Sequence, residues 1–361
     1  MGWNFLSFCL LHSSFFILNM VRLKDIAQLA GVSVMTVSKA LRDAPDVSTA
    51  TKARIKALAA QMGYVPDSSA QGLRTKTTKL FGLLIPATTN PIYARIVYAV
   101  EERAYELGYD VLIAQTLNKP EREDACLRRL LSRRVDGLFI TPVYRFEAEA
   151  RIYQEIVRRQ VPTVLLGSPA PFCKNFISIE IEELVASYHV TKHLLGLGHK
   201  KIAYFTGPPA APWAHERFEG YRRALREAGL EVDDKLVFAA GSTLEDGTKA
   251  ALQMLNEGCH PTAVQAVSDL VAIGCAETLL QQGIKLPDEI SVAGFGNILA
   301  AEFYRVPLTT VSQPKYRLGI AAVETMLNLI RGERVASRRL PAELVPRQST
   351  TAPKQMPKVD G

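Results

Sequence analysis

The sequence predicts a small N-terminal all-α head carrying a helix-turn-helix, followed by an α/β core of two doubly wound parallel-sheet halves. Three observations lead there. Residues 21–66 carry short apolar stripes at helical spacing around a lone Gly31. From Leu80 onward, continuous apolar runs alternate with amphipathic stretches. Positive charge is concentrated near one end: between Met20 and Lys79 stand ten Lys/Arg against four Asp, a local +6 of the chain's +7. The rest of the chain is therefore almost neutral, and the basic module is matched to a phosphate backbone as partner.

In the head, Leu23, Ile26, Ala27 and Ala30 recur at helical spacing, as do Val34, Val37 and Leu41, and then Ile55, Leu58, Ala59 and Met62. These stripes can close a three-helix core. Gly31 supplies the turn between the first two helices, Ser33 is placed to cap the second and Ser48 the third. Gly63 ends the third helix and Pro66 blocks its continuation. The polar and basic stretch DSSAQGLRTKTTK, residues 67–79, follows. Its helical potential is weak, since Gly72 costs about 1 kcal/mol relative to alanine, so residues 68–79 are expected to be a hinge helix or linker that orders on a partner.

Past Leu80 the order is LFGLLIP, YARIVYAVEERAYELG, YDVLIAQT, REDACLRRLLSR, VDGLFITP, IYQEIVRRQ and VPTVLLG, strand alternating with helix. A second series begins at VASYHVTKHLLGLG and runs through KKIAYFTG to ISVAGFG. Strands that are apolar throughout are buried on both faces, which means parallel sheets covered by helices. Ligands in such sheets bind beyond the carboxyl ends of the strands, here in the cleft between the halves.

Composition sets the outer limits. The chain has 361 residues, of which 48% are apolar and 22% charged, which fits two or three globular domains and excludes disordered, collagenous and coiled-coil classes. Five scattered cysteines without metal-type spacing read as free thiols in a reducing compartment, the cytoplasm. Residues 1–19 are apolar but lack Lys or Arg and a small-residue cleavage site, and are read as an extension from a start assigned too early, not a signal or a membrane anchor.

Taken together, KDIAQLAGVSVMTVSKAL, GYVP, GLLIPATTNPIY, VDGLFITP, HLLGLGHKKIAYFTG, RFEGYRRAL, SDLVAIG, LPDEISVAGFG and PLTTVSQP resemble the lactose-repressor/galactose-repressor family of transcription regulators, from Val21 to about Thr350. That resemblance implies a DNA-binding domain over 20–67 and a core over 80–350 similar to type I periplasmic binding proteins. Within the core, the N-subdomain would take about 80–188 and 310–335 and the C-subdomain about 189–309 and 336–350, with a flexible tail over 351–361. It implies a homodimer on a palindromic double-stranded operator, controlled by a small-molecule effector, a sugar or sugar derivative, with a purine-type ligand as the alternative.

By the same resemblance, the recognition helix would begin after Ser33 and present Val34, Met35, Ser38 and Lys39 to the major groove. Val34 and Met35 suit thymine methyls, and Lys39 suits a guanine edge or a phosphate. Thr36, Ser48 and Thr51 would contact the backbone, and Ala70 and Leu73 the minor groove, Leu73 as a wedge. In the core, Arg217 would donate to ligand hydroxyls or a carboxylate and Asp269 would accept from vicinal hydroxyls, with Asn90 as a polar anchor and Tyr93 and Trp213 as stacking faces. The sequence departs from the family at Arg22, usually a capping Thr; at Glu182-Glu183, usually Asp-Asn; and at Gly296, usually Asp. The segment 341–361 shows no leucine heptad of the kind that forms tetramers.

Other chemistry finds little purchase. Gly294-Phe295-Gly296 starts like a dinucleotide loop, but Leu299 stands where a third glycine belongs. His189 and His193 share a helix face without the HEXXH glutamate or a third ligand nearby. With no GxSxG elbow and no phosphate loop, neither an enzyme nor a cofactor is implied. An exported sugar-binding protein without DNA function is the other reading to test.

Overall fold

The computed structural model describes residues 21–65 and 77–354. The expected extension over 1–19 and most of the expected hinge, including Ala70 and Leu73, lie outside the described residues. The chain divides into two compact units, Met1–Lys76 and Thr77–Gly361.

The first unit holds α1 (Leu23–Ala30), α2 (Val34–Leu41) and α3 (Thr49–Gln61). Ile26, Ala27, Ala30, Val37, Ala40, Val47, Ile55 and Ala59 form its core. Val34 departs from its stripe: it is 46% exposed, because the first turn of a short helix faces away from the three-helix junction. Gly31 adopts φ 63°, the left-handed conformation that lets its N–H close the last turn of α1. The hydroxyl cap missing at Arg22 is replaced from the other side, since the Asp25 carboxylate accepts the Arg22 N–H at 2.8 Å. At the end of α3, Gly63 takes φ 67°. Its N–H reaches Ala60 O, and that of Tyr64 reaches Ala59 O, a Schellman closure.

The second unit is built on a six-stranded parallel sheet and a four-stranded one. The first comprises β1 (Leu80–Ile85), β2 (Asp110–Gln115), β3 (Gly137–Ile140), β4 (Thr163–Leu166), β5 (Ile177–Ile181) and β11 (Arg338–Leu340), in the order β11-β5-β4-β3-β1-β2. The second comprises β6 (Ile202–Thr206), β7 (Val237–Ala239), β8 (Ala263–Ala266) and β9 (Ser291–Ala293), in the order β7-β6-β8-β9. A short antiparallel pair, β10 (Thr310–Ser312) with β12 (Glu343–Val345), completes the strands. The helices are α4 (Pro91–Glu106), α5 (Pro120–Ser132), α6 (Arg151–Arg158), α7 (Glu183–Gly196), α8 (Pro212–Glu227), α9 (Leu244–Asn256), α10 (Asp269–Gln281), α11 (Leu299–Phe303) and α12 (Lys315–Ile330).

Alternation along each strand sends side chains to opposite helix layers. Phe81, Leu83 and Ile85 pack with Ile96 and Val100 of α4 and Leu318 and Met326 of α12. Leu84, Leu138 and Leu165 pack with Leu127 and Leu130 of α5 and Ile156 of α6. In the second half, Phe205 and Val264 meet Met254 of α9 and Val271 of α10, while Tyr204 meets Val190 of α7 and Tyr221 of α8. A Cβ on Gly220 would stand 2.3 Å from Leu184 O, so the close approach of α8 to α7 requires glycine there.

The chain crosses between halves at points other than those expected. Helix α7, from Glu183, packs in the second half, where Ala186, Val190 and Leu194 share a core with Tyr221 and Leu225. Of the segment 310–335, expected in the first half, strand β10 is tied to the second through the bridge Gly296–Ser312, while α12 packs on the first sheet. Strand β11 pairs with β5 in the first sheet, although 336–350 was expected in the second half. Leu340 is the only apolar residue of β11, too weak a pattern to show which sheet it completes. The segment Thr77–Lys79 is held by Asp136: its carboxylate accepts the Thr78 N–H and hydroxyl, both at 2.8 Å, the Lys79 N–H at 3.0 Å and the Thr77 hydroxyl. At the other end, Thr351 is anchored where free tail was expected, its N–H on Ser291 Oγ at 3.0 Å and its carbonyl at 2.8 Å from His199 Nε2.

Candidate functional site

The residues expected to be functional fall on two surfaces, one in each unit. In the head, Ser33 Oγ accepts the Thr36 N–H at 3.1 Å and Ser48 Oγ the Thr51 N–H at 3.3 Å, so both serines satisfy orphan donors at helix starts. Each serine hydroxyl also pairs with its threonine's, at 2.9 and 2.8 Å. Capping fixes the first turn of α2, and that turn presents Val34 and Met35 to solvent, Met35 62% exposed. Val34 and Met35 thus form a small exposed apolar step at the start of α2. Ser38 is half-buried, its carbonyl accepting Arg42 Nε at 2.8 Å. Lys39 forms an exposed ion pair with Asp46, and Lys39 holds the Asp46 carboxyl below its ordinary value. Arg54 reaches from α3 to Ala30 O at 3.0 Å, so one cation of this basic unit closes the end of α1.

In the core, the loops at the carboxyl ends of β6, β8 and β9 bring Arg217, Asp269, Phe295 and Gly296 together. Arg217, on α8, is 6% exposed. Its Nε donates to Glu183 Oε2 at 2.8 Å and its Nη1 to Val267 O at 2.6 Å. The guanidinium lies over the Phe295 ring at 3.6 Å and near Trp213 at 4.7 Å. Burial pushes the Glu183 carboxyl up, against the pull of Arg217. Asp269 opens α10 just after Ser268, which is the cap. Its carboxylate accepts the Thr310 hydroxyl at 2.5 Å and the Ile298 N–H at 2.9 Å. Burial raises this acid too, opposed by those hydrogen bonds and by the charges of Lys315 and Arg217. Lys315 donates to Gly296 O at 2.6 Å and Asn297 O at 3.1 Å.

From the first half, α4 begins beside this cluster. Asn90 accepts the Ile92 N–H at 3.1 Å and so caps α4. Burial pushes the Tyr93 hydroxyl up to about 12, and it feels the charges of both Arg217 and Glu183. Tyr144 donates to Ser168 O at 2.8 Å. Thr141, just past β3, is 2% exposed and its hydroxyl lacks a partner among the described residues. Gly296 takes φ 139°, and a Cβ there would stand 3.1 Å from Ile92 Cδ1 and 3.2 Å from Asp269 Oδ2. Such an assembly can hydrogen-bond a hydroxylated ligand between aromatic faces.

Sequence reasoning named Asn90, Tyr93, Trp213, Arg217 and Asp269 but missed Glu183, Phe295, Thr310, Lys315 and Tyr144 as neighbours. Glu183 had left a trace, as a carboxylate where the resembling family carries an amide; the others left none. Among the described residues, no group of His, Cys, Asp or Glu could hold a metal ion, and no helix is long and apolar enough to cross a membrane. Cys126, Cys173, Cys259 and Cys275 are free thiols.

Comparison with known proteins gives the following. Residues 22–67 match the profile of bacterial regulatory proteins of the lacI family, and residues 191–350 that of the periplasmic binding protein-like domain. The chain is 33% identical over 329 residues to the HTH-type transcriptional regulator DegA of Bacillus subtilis (strain 168), covering 91% of this chain and 97% of that one. It is 34% identical over 321 residues to the ribose operon repressor of Escherichia coli (strain K12), covering 89% and 96%. The lac repressor dimer bound to operator and the anti-inducer ONPF superimposes with a TM-score of 0.81 at 29% identity, covering 92% of this chain and all of that one.

Proposed function

The chain belongs to the lacI family of bacterial regulatory proteins, and from that premise we propose that a sugar, bound between the two halves of its core, controls its hold on a palindromic operator. It is a DNA-binding transcriptional repressor and not an enzyme. The observation that carries the gating reading is the cluster of buried Arg217 and Asp269 with half-buried Trp213 from the second half, beside Tyr93 from the first. Its hydrogen-bonding groups, set beside aromatic rings, suit a pyranose or furanose. A relative named for the ribose operon supports the same class.

In this reading Val34, Met35, Ser38 and Lys39 meet base edges while Ser33, Thr36, Ser48 and Thr51 contact phosphates, with Ala70 and Leu73 in the minor groove. The repressor acts as a homodimer in the cytoplasm, since paired half-sites call for two-fold symmetry. Ligand between the halves alters their relation and so the population able to bind operator. The test is operator affinity of the full chain, on palindromes selected from random DNA, with and without a panel of neutral sugars. One sugar changes affinity in the wild type and has no effect in Asp269→Asn, whose unliganded operator binding is retained. A panel without effect on the wild type overturns the sugar reading and leaves the repressor.

A further inference from the structure

We infer that the effector of this core carries no net negative charge, and that Glu183 is the residue that enforces this selection; the inference rests on the cleft being the effector site. An unpaired buried arginine is a strong attractor for carboxylate and phosphate, because its planar fork matches both. Arg217 is not unpaired. Its Nε is held by Glu183 at 2.8 Å and its Nη1 by Val267 O at 2.6 Å, and its face is covered by Phe295 at 3.6 Å. Glu183 is 5% exposed and Arg217 6%, so the pair is closed on itself and hardly screened by water.

The other charges of the cluster cancel as well. Asp269, 1% exposed, is matched by Lys315, whose ammonium is already bonded to Gly296 O and Asn297 O. Among the buried groups two carboxylates thus face two cations; of the nearest further cations, Arg339 is itself paired with Glu180 and Glu216, and Arg95, beside Lys315, is exposed to solvent. An anion brought to the remaining donors of Arg217 would meet the Glu183 and Asp269 carboxylates at close range in a poorly screened site, where like charges repel strongly. A neutral polyol escapes that repulsion: its hydroxyls accept from arginine and donate to carboxylate oxygens with the same atoms. The carboxylate option for the ligand of Arg217 is therefore closed by a residue 34 positions earlier in the chain.

Calorimetric titration of the full chain with matched pairs tests this: ribose and ribose 5-phosphate, glucose and glucuronate, adenosine and its monophosphate. In any pair that binds, the neutral member binds the wild type roughly tenfold tighter or more, and Glu183→Gln narrows the gap to about threefold. An anionic member that binds the wild type as tightly as its neutral counterpart overturns the inference, and this comparison stands even if the variant fails to fold. Operator binding with no response to any member of any pair is a different failure: it removes the effector reading of the cleft and the inference with it.

Discussion

The recognition surface of the head and the buried cluster of the core handle charge in opposite ways. In the head, Lys39 and Asp46 pair with side chains 40% and 52% exposed. Such a pair is screened by water and salt and adds little stability, so a phosphate or a guanine edge can replace the carboxylate at low cost. In the core, the Arg217 and Glu183 side chains are each 7% exposed, and neither can lose the other without leaving a buried charge alone. In the proposed reading, a surface that exchanges partners keeps its charges in water, and a site that chooses among ligands keeps them in a closed arrangement.

The contrast fails first if the core pair proves dispensable. Arg217→Leu strands the Glu183 carboxylate and should lower the stability of the core by about 3–5 kcal/mol, read from its urea transition. A loss below about 1 kcal/mol would mean that water reaches the pair and that the two regions do not differ in kind. A smaller effect comes from Gly296→Asp, which restores the residue usual in the family. At φ 139° and with Asp269 Oδ2 3.2 Å from the new Cβ, it should cost about 1–3 kcal/mol in the same transition. An unchanged midpoint would show that the backbone relaxes there.

Third comes pH. Burial depresses His199 and His193 below their ordinary 6.5. The unfolded chain therefore binds more protons in that window, so the stability these residues contribute is complete above 6.5 and is lost as pH falls through their folded values. Thermal unfolding of the core should move to lower temperature between about pH 7.5 and pH 5.5, and His199→Gln should flatten that dependence. An equal slope in wild type and variant would assign the effect to other groups. The smallest effect on stability is expected in the head, where Lys39→Met should leave the unfolding midpoint unmoved. The same substitution should weaken operator binding about tenfold, and reduce the salt slope by about one if the contact is to phosphate. A destabilised head with unchanged DNA affinity would reverse the roles of the two regions.

The two regions also differed in how far they could be read from sequence. The head was legible because its determinants are local: Gly31, Ser33 and Ser48 each sit next to the helix end they shape. Its misreading, Val34 counted with the core stripe, arose because an eight-residue helix is too short for periodicity to separate the edge of a stripe from its centre. The missing cap at Arg22 was seen, but not its replacement by Asp25, which acts through the backbone N–H. The α/β alternation of the core was equally plain. Its cluster was named by resemblance at Arg217 and Asp269, while their partners, Glu183 and Lys315 by charge and Thr310 by hydrogen bond, lie tens of residues away and share no period with them. The crossing points between halves escaped for the same reason, since the lone Leu340 carries no pattern that names its sheet.

The most direct test of effector-gated repression is reciprocity, measured on the full chain at one fixed salt concentration. Operator affinity is determined with and without saturating neutral sugar, and affinity for that sugar is determined with and without operator. The account predicts that both change by the same factor, because the two sites share one coupling free energy. Sugar affinity that is identical on and off the operator, beside an operator affinity that the sugar does not alter, would contradict it.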